Sequence, residues 1–349
     1  MARLTLLRFI REQYQKTKPV VKVDLTGKTV IVTGANVGLG FEAAKHFATM
    51  NPARLILACR NSEKGKSALS KLSQETGYSK AEIWLLDLGS FASVREFADR
   101  FEREGGGRLD ILVENAGISS QPTYEKTVDG YATLFQTNDI SPSLHTLLLL
   151  PYMTKTAEEH NTKPRIVVVS SGLHYWAMDS KALKFANQPN MIDAMSSIDY
   201  FTQVPWNNHY SDSKLLNLFF VRALQDRLAN NPSIIVNAIS PGYCYSELRR
   251  QFTSIRALMD RLMEKLLAIS TEEGSRHLVY GAVGGSGSAA EEERLKGGYI
   301  SFSQVVEPSD FSISKEGLEL EQKYWNELVN ICKGADPRVK QIVEQYLQS

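Results

Sequence analysis

Cysteine is scarce in this chain. Only three occur in 349 residues, Cys59, Cys244 and Cys332, and they stand too far apart for the paired spacing of a structural metal or a disulfide framework. They read as buried or free thiols in a reducing compartment, with no metal site. Charge of one sign is missing too. Lys plus Arg number 40 against 39 Asp plus Glu, which leaves no basic excess for a nucleic-acid partner. A bilayer-spanning apolar run is also absent. The first twenty residues, MARLTLLRFIREQYQKTKPV, interleave Leu4, Leu6, Leu7, Phe9 and Ile10 with Arg3, Arg8, Arg11, Lys16 and Lys18, so residues 1–22 read as a basic amphipathic extension. Such a helix can lie on a membrane surface, which leaves peripheral contact with an intracellular membrane open to residues 1–20, or it can pack on its own domain or on a partner subunit. The protein is otherwise expected in the cytoplasm, as a monomer or homodimer.

What the chain does have is enough apolar sequence for a sizeable core, with 43% hydrophobic residues, and a length that suits one enlarged α/β domain. From Lys28 onward, short β-branched runs alternate with helix-compatible segments. The runs KTVIVT, RLILAC, EIWLLD, LDILVE, RIVVVS, IIVNAI and GGYISF predict a doubly wound, Rossmann-type parallel sheet of about seven strands, with the ligand across their carboxyl ends. Residues 23–310 form this catalytic domain, and 311–349 a C-terminal helical extension of it, read as helices near 314–331 and 337–347. Residues 172–208 interrupt the alternation with His174, Tyr175, Trp176, Tyr200, Phe201 and Trp206, and are expected to form an aromatic-rich lid. Residues 247–270 carry an apolar helical face that could cover a substrate, or serve core or dimer packing. The run GAVGGSGSAAEEER, 281–294, reads as a flexible surface connection.

Two motifs carry chemistry. TGANVGLG, Thr33 to Gly40, follows the first strand and opens a helix. Gly34 permits the tight turn, Gly38 lets backbone approach a pyrophosphate, and Gly40 allows close packing of helix on strand, with helix N–H groups facing the anion. Arg60 stands twenty positions beyond Gly40, where an acidic residue would bind the ribose 2′-hydroxyl of NAD; a guanidinium suits the 2′-phosphate of NADP(H). Lys64 could add to that potential, and Glu63 could oppose it if turned inward. The second motif, YSDSK, places Tyr210 and Lys214 four residues apart on one helical face. A tyrosine normally titrates at about 10, and a neighbouring cation favours its phenolate, so Lys214 can tune Tyr210 as a general acid/base. Alone, such a pair reads more readily as a solvated helix face.

The ordered set TGANVGLG, NAG (Asn115 to Gly117), VVVSS (Val167 to Ser171), YSDSK and SPG (Ser240 to Gly242) resembles the short-chain dehydrogenase/reductase family, over roughly Lys28 to Phe302. Through LACRN, SELRR, TEEGSRH and the GGYIS to EPSD stretch, it is most similar to the retinol dehydrogenase-like branch. The resemblance implies that Tyr210 exchanges the substrate proton, that Ser171 hydrogen-bonds the substrate oxygen, that Lys214 also holds the nicotinamide ribose, and that Asn138 completes a proton relay through water. It further implies cofactor contacts from Asn36, Leu39, Asp87, Leu88, Asn115, Ala116, Gly117, Pro241 and Gly242, beside Gly34, Gly38, Gly40 and Arg60. Read without the family, Ser171 and Asp87 could simply satisfy local backbone groups and Asn138 could be a helix-interior amide. Two departures stand out. Glu114 replaces an asparagine common in the family, and Ser171 and Tyr210 lie 39 positions apart, so the substrate entrance must differ. The activity implied is NADP(H)-dependent interconversion of a carbonyl and an alcohol on an apolar small molecule, such as a retinoid, steroid, terpenoid or polyketide-like compound. The alternatives are a catalytically silent NADP(H)-sensing or interaction protein, and a related epimerase or dehydratase.

Overall fold

The computed structural model describes residues 5–228, 233–245 and 263–348, except for the side chains of residues 6–8. Seven parallel strands, β1 Thr29–Thr33, β2 Arg54–Cys59, β3 Ala81–Leu85, β4 Ile111–Glu114, β5 Arg165–Val169, β6 Ile235–Ser240 and β7 Tyr299–Ser301, fall on the seven runs read from the sequence. An eighth, β8 Gln304–Val306, pairs antiparallel with β7, giving the order β3-β2-β1-β4-β5-β6-β7-β8. The hairpin before β8 turns on Phe302 and Ser303, at φ +49° and +55°. Left-handed turns of this kind are normally announced by Asn-Gly or Gly, so the eighth strand had no signal.

The sheet buries both faces, and alternate side chains divide between them. Val30, Val32, Leu55, Leu57 and Ile111 pack with the helices Gly38–Ala48, Ser62–Thr76 and Thr271–Val283. Ile31, Ile56, Leu112, Ile166 and Val236 pack on the other side with Phe91–Glu104, Ser141–His160, Trp206–Arg227 and the C-terminal helix Lys315–Ala335. A last helix, Arg338–Tyr346, follows, so both expected tail helices are present.

Two expectations are corrected. The 172–208 insertion is not an open loop: Ser180–Ala186, Met191–Met195 and Ile198–Gln203 are short helices, and Met178, Phe185, Met191, Met195 and Tyr200 are buried in the core. The C-terminal helix holds the end of the first and the start of the second. Lys323 Nζ donates to the Ala186 carbonyl (2.9 Å), and the Glu327 carboxylate accepts from the N–H groups of Met191 (3.0 Å) and Ile192 (2.9 Å), each charge sitting at the helix end it complements. The run 281–294 is likewise ordered. Gly281 ends a buried face rather than loosening a loop, since a Cβ there would lie 2.7 Å from Asn237 Oδ1 and 2.9 Å from Ile239, while Ala289–Leu295 is a helix capped by Ser288. Of the proposed covering segment, 247–262 lies outside the described residues, and 263–267 is helical. Among the described residues no helix is long and apolar enough to cross a membrane.

Candidate active site

A cleft of about 1000 Å³ opens at the carboxyl ends of the strands, where the sheet order reverses between β1 and β4. It is large enough for a dinucleotide together with a second small molecule. Gly34, Asn36, Gly38, Leu39, Arg60, Asp87, Leu88, Asn115, Ala116, Gly117, Ser171, Tyr210, Lys214, Pro241 and Gly242 all line it. Two residues singled out in the sequence lie behind the wall instead. Gly40 is buried under the turn, where a Cβ would meet Asn115 Nδ2 at 2.5 Å, which is the packing role expected of it. Asn138 is 2% exposed.

The glycine turn fits a pyrophosphate. Gly34 and Gly38 have φ of +64° and +61°, and a Cβ on Gly38 would meet nothing within 4 Å, so the backbone there is open to the cleft. The helix Gly38–Ala48 starts with Val37 at its N-cap and no side-chain cap, whereas the next helix is capped by Asn61. Its leading N–H groups are thus left for an anion. Thr33 organises the floor. Its hydroxyl oxygen accepts from the N–H groups of Asn115 (2.9 Å) and Ala116 (3.0 Å), and Asn115 Nδ2 donates back to the Thr33 carbonyl at 2.8 Å. Glu114, the departure in this region, points away from the cleft: its Oε1 pairs with His145 Nδ1 at 2.6 Å, both side chains fully buried, and Oε2 accepts from Thr33 Oγ1. Asp87 Oδ1 accepts from Gly89 N–H at 2.9 Å, so it holds its own turn while bordering the cleft. At the end of β2, Arg60 is exposed and makes no ion pair among the described residues, and Glu63 is committed to Lys66 at 2.9 Å on the surface.

Tyr210 and Lys214 share a face of the helix Trp206–Arg227. Tyr210 is half-buried on the cleft wall, with Lys214 Nζ 5.5 Å from its ring centre. Lys214 is 4% exposed, and its Nζ donates to the Val169 carbonyl and to Asn217 Oδ1, both at 2.9 Å. Burial pushes its ammonium down to about 8, with the charge of Asp139 opposing that shift. The two serines separate cleanly. Ser170 is buried and donates to the Lys214 carbonyl at 2.7 Å, whereas Ser171 is half-buried, and its Oγ accepts from the Leu173 N–H at 3.2 Å. Asn138 lies in a π-helical turn, Gln136–Ile140. Its Oδ1 accepts from Ile118 N–H (2.8 Å) and its Nδ2 donates to Ile118 O and Ser213 Oγ (3.0 Å each), while its carbonyl accepts from Asn217 Nδ2 at 2.7 Å. His174 and His209 are structural. The first spans Ser171 O and the Ser309 N–H and is pushed down to about 4 by burial; the second bonds Val204 O.

The amphipathic N-terminal segment packs on its own domain. Its helix, Leu6–Gln13, brings Phe9 edge-on to Tyr243 (6.0 Å) and Gln13 Oε1 to the Tyr243 N–H (3.2 Å), so that Phe9 and Gln13 join the cleft wall. Partners some 230 residues apart left no local sign of this contact. Asn217 and Asp139 were missed as well, although Asn217 stands three positions beyond Lys214 on its helix.

The model of the short chain dehydrogenase family matches residues 28–181. A short chain dehydrogenase/reductase of Cryptosporiopsis, dmxR8, is 33% identical over 337 residues, covering 95% of this chain and 98% of the relative. The chain belongs to the short-chain dehydrogenase/reductase family. It is accordingly an oxidoreductase fold built for a nicotinamide cofactor. The short-chain dehydrogenase anuD of Penicillium roqueforti is similar at 34% identity over 344 residues, 97% of this chain and 86% of that one. Among solved structures, the Pseudomonas aeruginosa RhlG/NADP complex aligns with a TM-score of 0.60 at 24% identity, over 80% of this chain and 98% of the other. Salutaridine reductase from Papaver somniferum gives 0.57 at 21% identity, over 78% and 99%. At those identities the likeness speaks for the fold.

Proposed function

We infer that this member of the family interconverts a carbonyl and an alcohol on an apolar small molecule, with NADP(H) as cofactor and Tyr210 as general acid/base. The observation that carries the reading is Tyr210 on the wall of the cleft with the buried Lys214 ammonium beside its ring. Bound nicotinamide supplies or takes up the hydride. The chain's own residues handle the oxygen and its proton. Ser171, on the same wall, donates to the substrate oxygen, Tyr210 passes its proton to that oxygen in reduction, and the Lys214 ammonium favours the phenolate left behind. Oxidation uses the same groups in reverse.

The NADP(H) preference rests on Arg60, exposed at the end of β2 and free of an acidic partner among the described residues, where a 2′-phosphate would be met by a guanidinium. The apolar substrate follows from the walls beyond Tyr210, where Leu173, Trp176, Trp206, Met263 and Phe302 face the cleft. Replacing Tyr210 with Phe tests the assignment. Turnover should fall by about 10²- to 10⁴-fold, with NADPH affinity, read by fluorescence titration, changed only slightly. Unchanged turnover would show that the proton is handled elsewhere.

A further inference from the structure

Behind Lys214, away from the cleft, lies a second acid that the proton chemistry described so far does not use. Asn217 Oδ1 accepts from Lys214 Nζ (2.9 Å), and Asn217 Nδ2 donates both to the Asn138 carbonyl (2.7 Å) and to Asp139 Oδ1 (2.8 Å). Asp139 is 1% exposed, and its Oδ2 has no hydrogen-bond partner among the described residues. Ser143 donates to its carbonyl at 2.7 Å, and the ionisable side chains that feel its charge include Lys214, Tyr200 of the insertion and Tyr324 of the C-terminal helix. Burial keeps both phenols neutral and also pushes the Asp139 carboxyl well above its ordinary range, and the charge of Lys214 opposes that second shift.

Each partner needs the other. A buried ammonium held only by a backbone carbonyl and an amide oxygen is costly, and so is a buried carboxylate with one oxygen unsatisfied. We propose that Asp139 is the counter-charge of Lys214, coupled to it through the Asn217 amide, and that Asp139 and Asn217 are positioning residues that keep Lys214 charged and aimed at Tyr210. The amide carries alignment rather than protons: it accepts from the cation with its oxygen and donates to the anion with its nitrogen, so a flipped or absent amide breaks both contacts at once. The π-helical turn Gln136–Ile140 sets Asn138 and Asp139 side by side against this amide.

The pairing is read directly on ligand-free protein labelled with ¹³C at the lysine ε-carbon. The resonance missing from a Lys214→Arg variant belongs to Lys214, and it should titrate near pH 8 in the native chain. Asp139→Asn keeps an acceptor for Asn217 but removes the charge, and should lower that midpoint by about one pH unit or more. A midpoint that stays within about 0.3 unit in Asp139→Asn overturns the proposal. If Asp139→Asn does not fold, Asn217→Ser, which cuts the bridge and keeps the acid, should also shift the midpoint downward, and no shift there overturns the coupling. The link to turnover rests on the oxidoreductase reading, so the alkaline limb of kcat/KM against pH is recorded in parallel and should move with the resonance. A resonance that shifts in a protein without turnover would sink that reading and leave the pairing standing.

Discussion

Asp212 sits two positions before Lys214 yet serves the fold rather than the chemistry. It is fully buried, its Oδ1 accepts from the Met178 N–H at 2.6 Å, and its Oδ2 accepts from the Tyr200 hydroxyl, so it ties the helix Trp206–Arg227 to the inserted segment. Burial pushes its carboxyl up to about 7, although both hydrogen bonds act in the opposite direction. The sign follows from linkage. A carboxyl that stays protonated in the fold while it would ionise in the open chain contributes stability that is full below about pH 4 and is lost as pH rises to about 7. Asp212→Asn can keep both contacts, accepting from Met178 and donating to Tyr200, without that loss. The Tm of Asp212→Asn relative to the native chain is therefore expected to rise by a few degrees between about pH 4.5 and pH 7 and to level off above it. A difference independent of pH would mean that the carboxyl is ionised throughout. Glu114 settles another question at this scale. The sequence leaves open where an acid in place of the family's asparagine would point; the structure turns it into a buried pair with His145 beneath Thr33, behind the cleft.

Elements show where sequence reading succeeds and why it stops. Gly281 lies against the side chains of Asn237, Ile239 and Val167 where the helix Thr271–Val283 crosses the sheet, and even a methyl group would force those side chains to shift. Gly281→Ala should cost about 1–3 kcal/mol, measurable as a lower midpoint in urea unfolding; an unchanged midpoint would mean that the crossing has slack. The parallel strands were legible because they are short, largely apolar runs, and β1, β4, β5 and β6 are buried along their whole length. The same small residues that mark a loop also mark a tight crossing, so Gly281 and its neighbours were misread as a flexible connection. The inserted helices 180–203 were illegible for a different reason. Each is too short to carry a period of its own, and the end of the first and the start of the second are completed by Lys323 and Glu327 on a helix more than a hundred residues away. The candidate site divides in the same way. The glycine turn, Ser171, Tyr210 and Lys214 stand in contiguous motifs, whereas the Lys214–Asn217–Asp139 string and the Phe9 wall exist only once distant segments meet.

At the scale of the molecule, the doubly wound sheet presents the glycine turn and a set of apolar walls as two parts of one cleft. Strands β1 to β4 supply the turn at Gly34 to Gly38, Arg60, and Asn115 to Gly117; β5 and β6 with the helix Trp206–Arg227 supply Ser171, Tyr210, Lys214 and the turn at Pro241 and Gly242. The N-terminal helix and the two ends of the insertion, 172–176 and 206–208, close the outer side. A chamber of this kind has a use for net redox chemistry, and a sensing protein or an epimerase would leave the nucleotide unspent. The decisive measurement is nicotinamide absorbance across a panel of apolar ketones, aldehydes and alcohols, with NADPH and NADH run side by side and the product quantified. The account predicts that at least one apolar carbonyl compound is reduced with one NADPH consumed per alcohol formed, and that kcat/KM with NADPH exceeds that with NADH by about tenfold or more, as a guanidinium on a 2′-phosphate would give. Nucleotide that binds tightly while no carbonyl or alcohol in the panel changes its absorbance would contradict it.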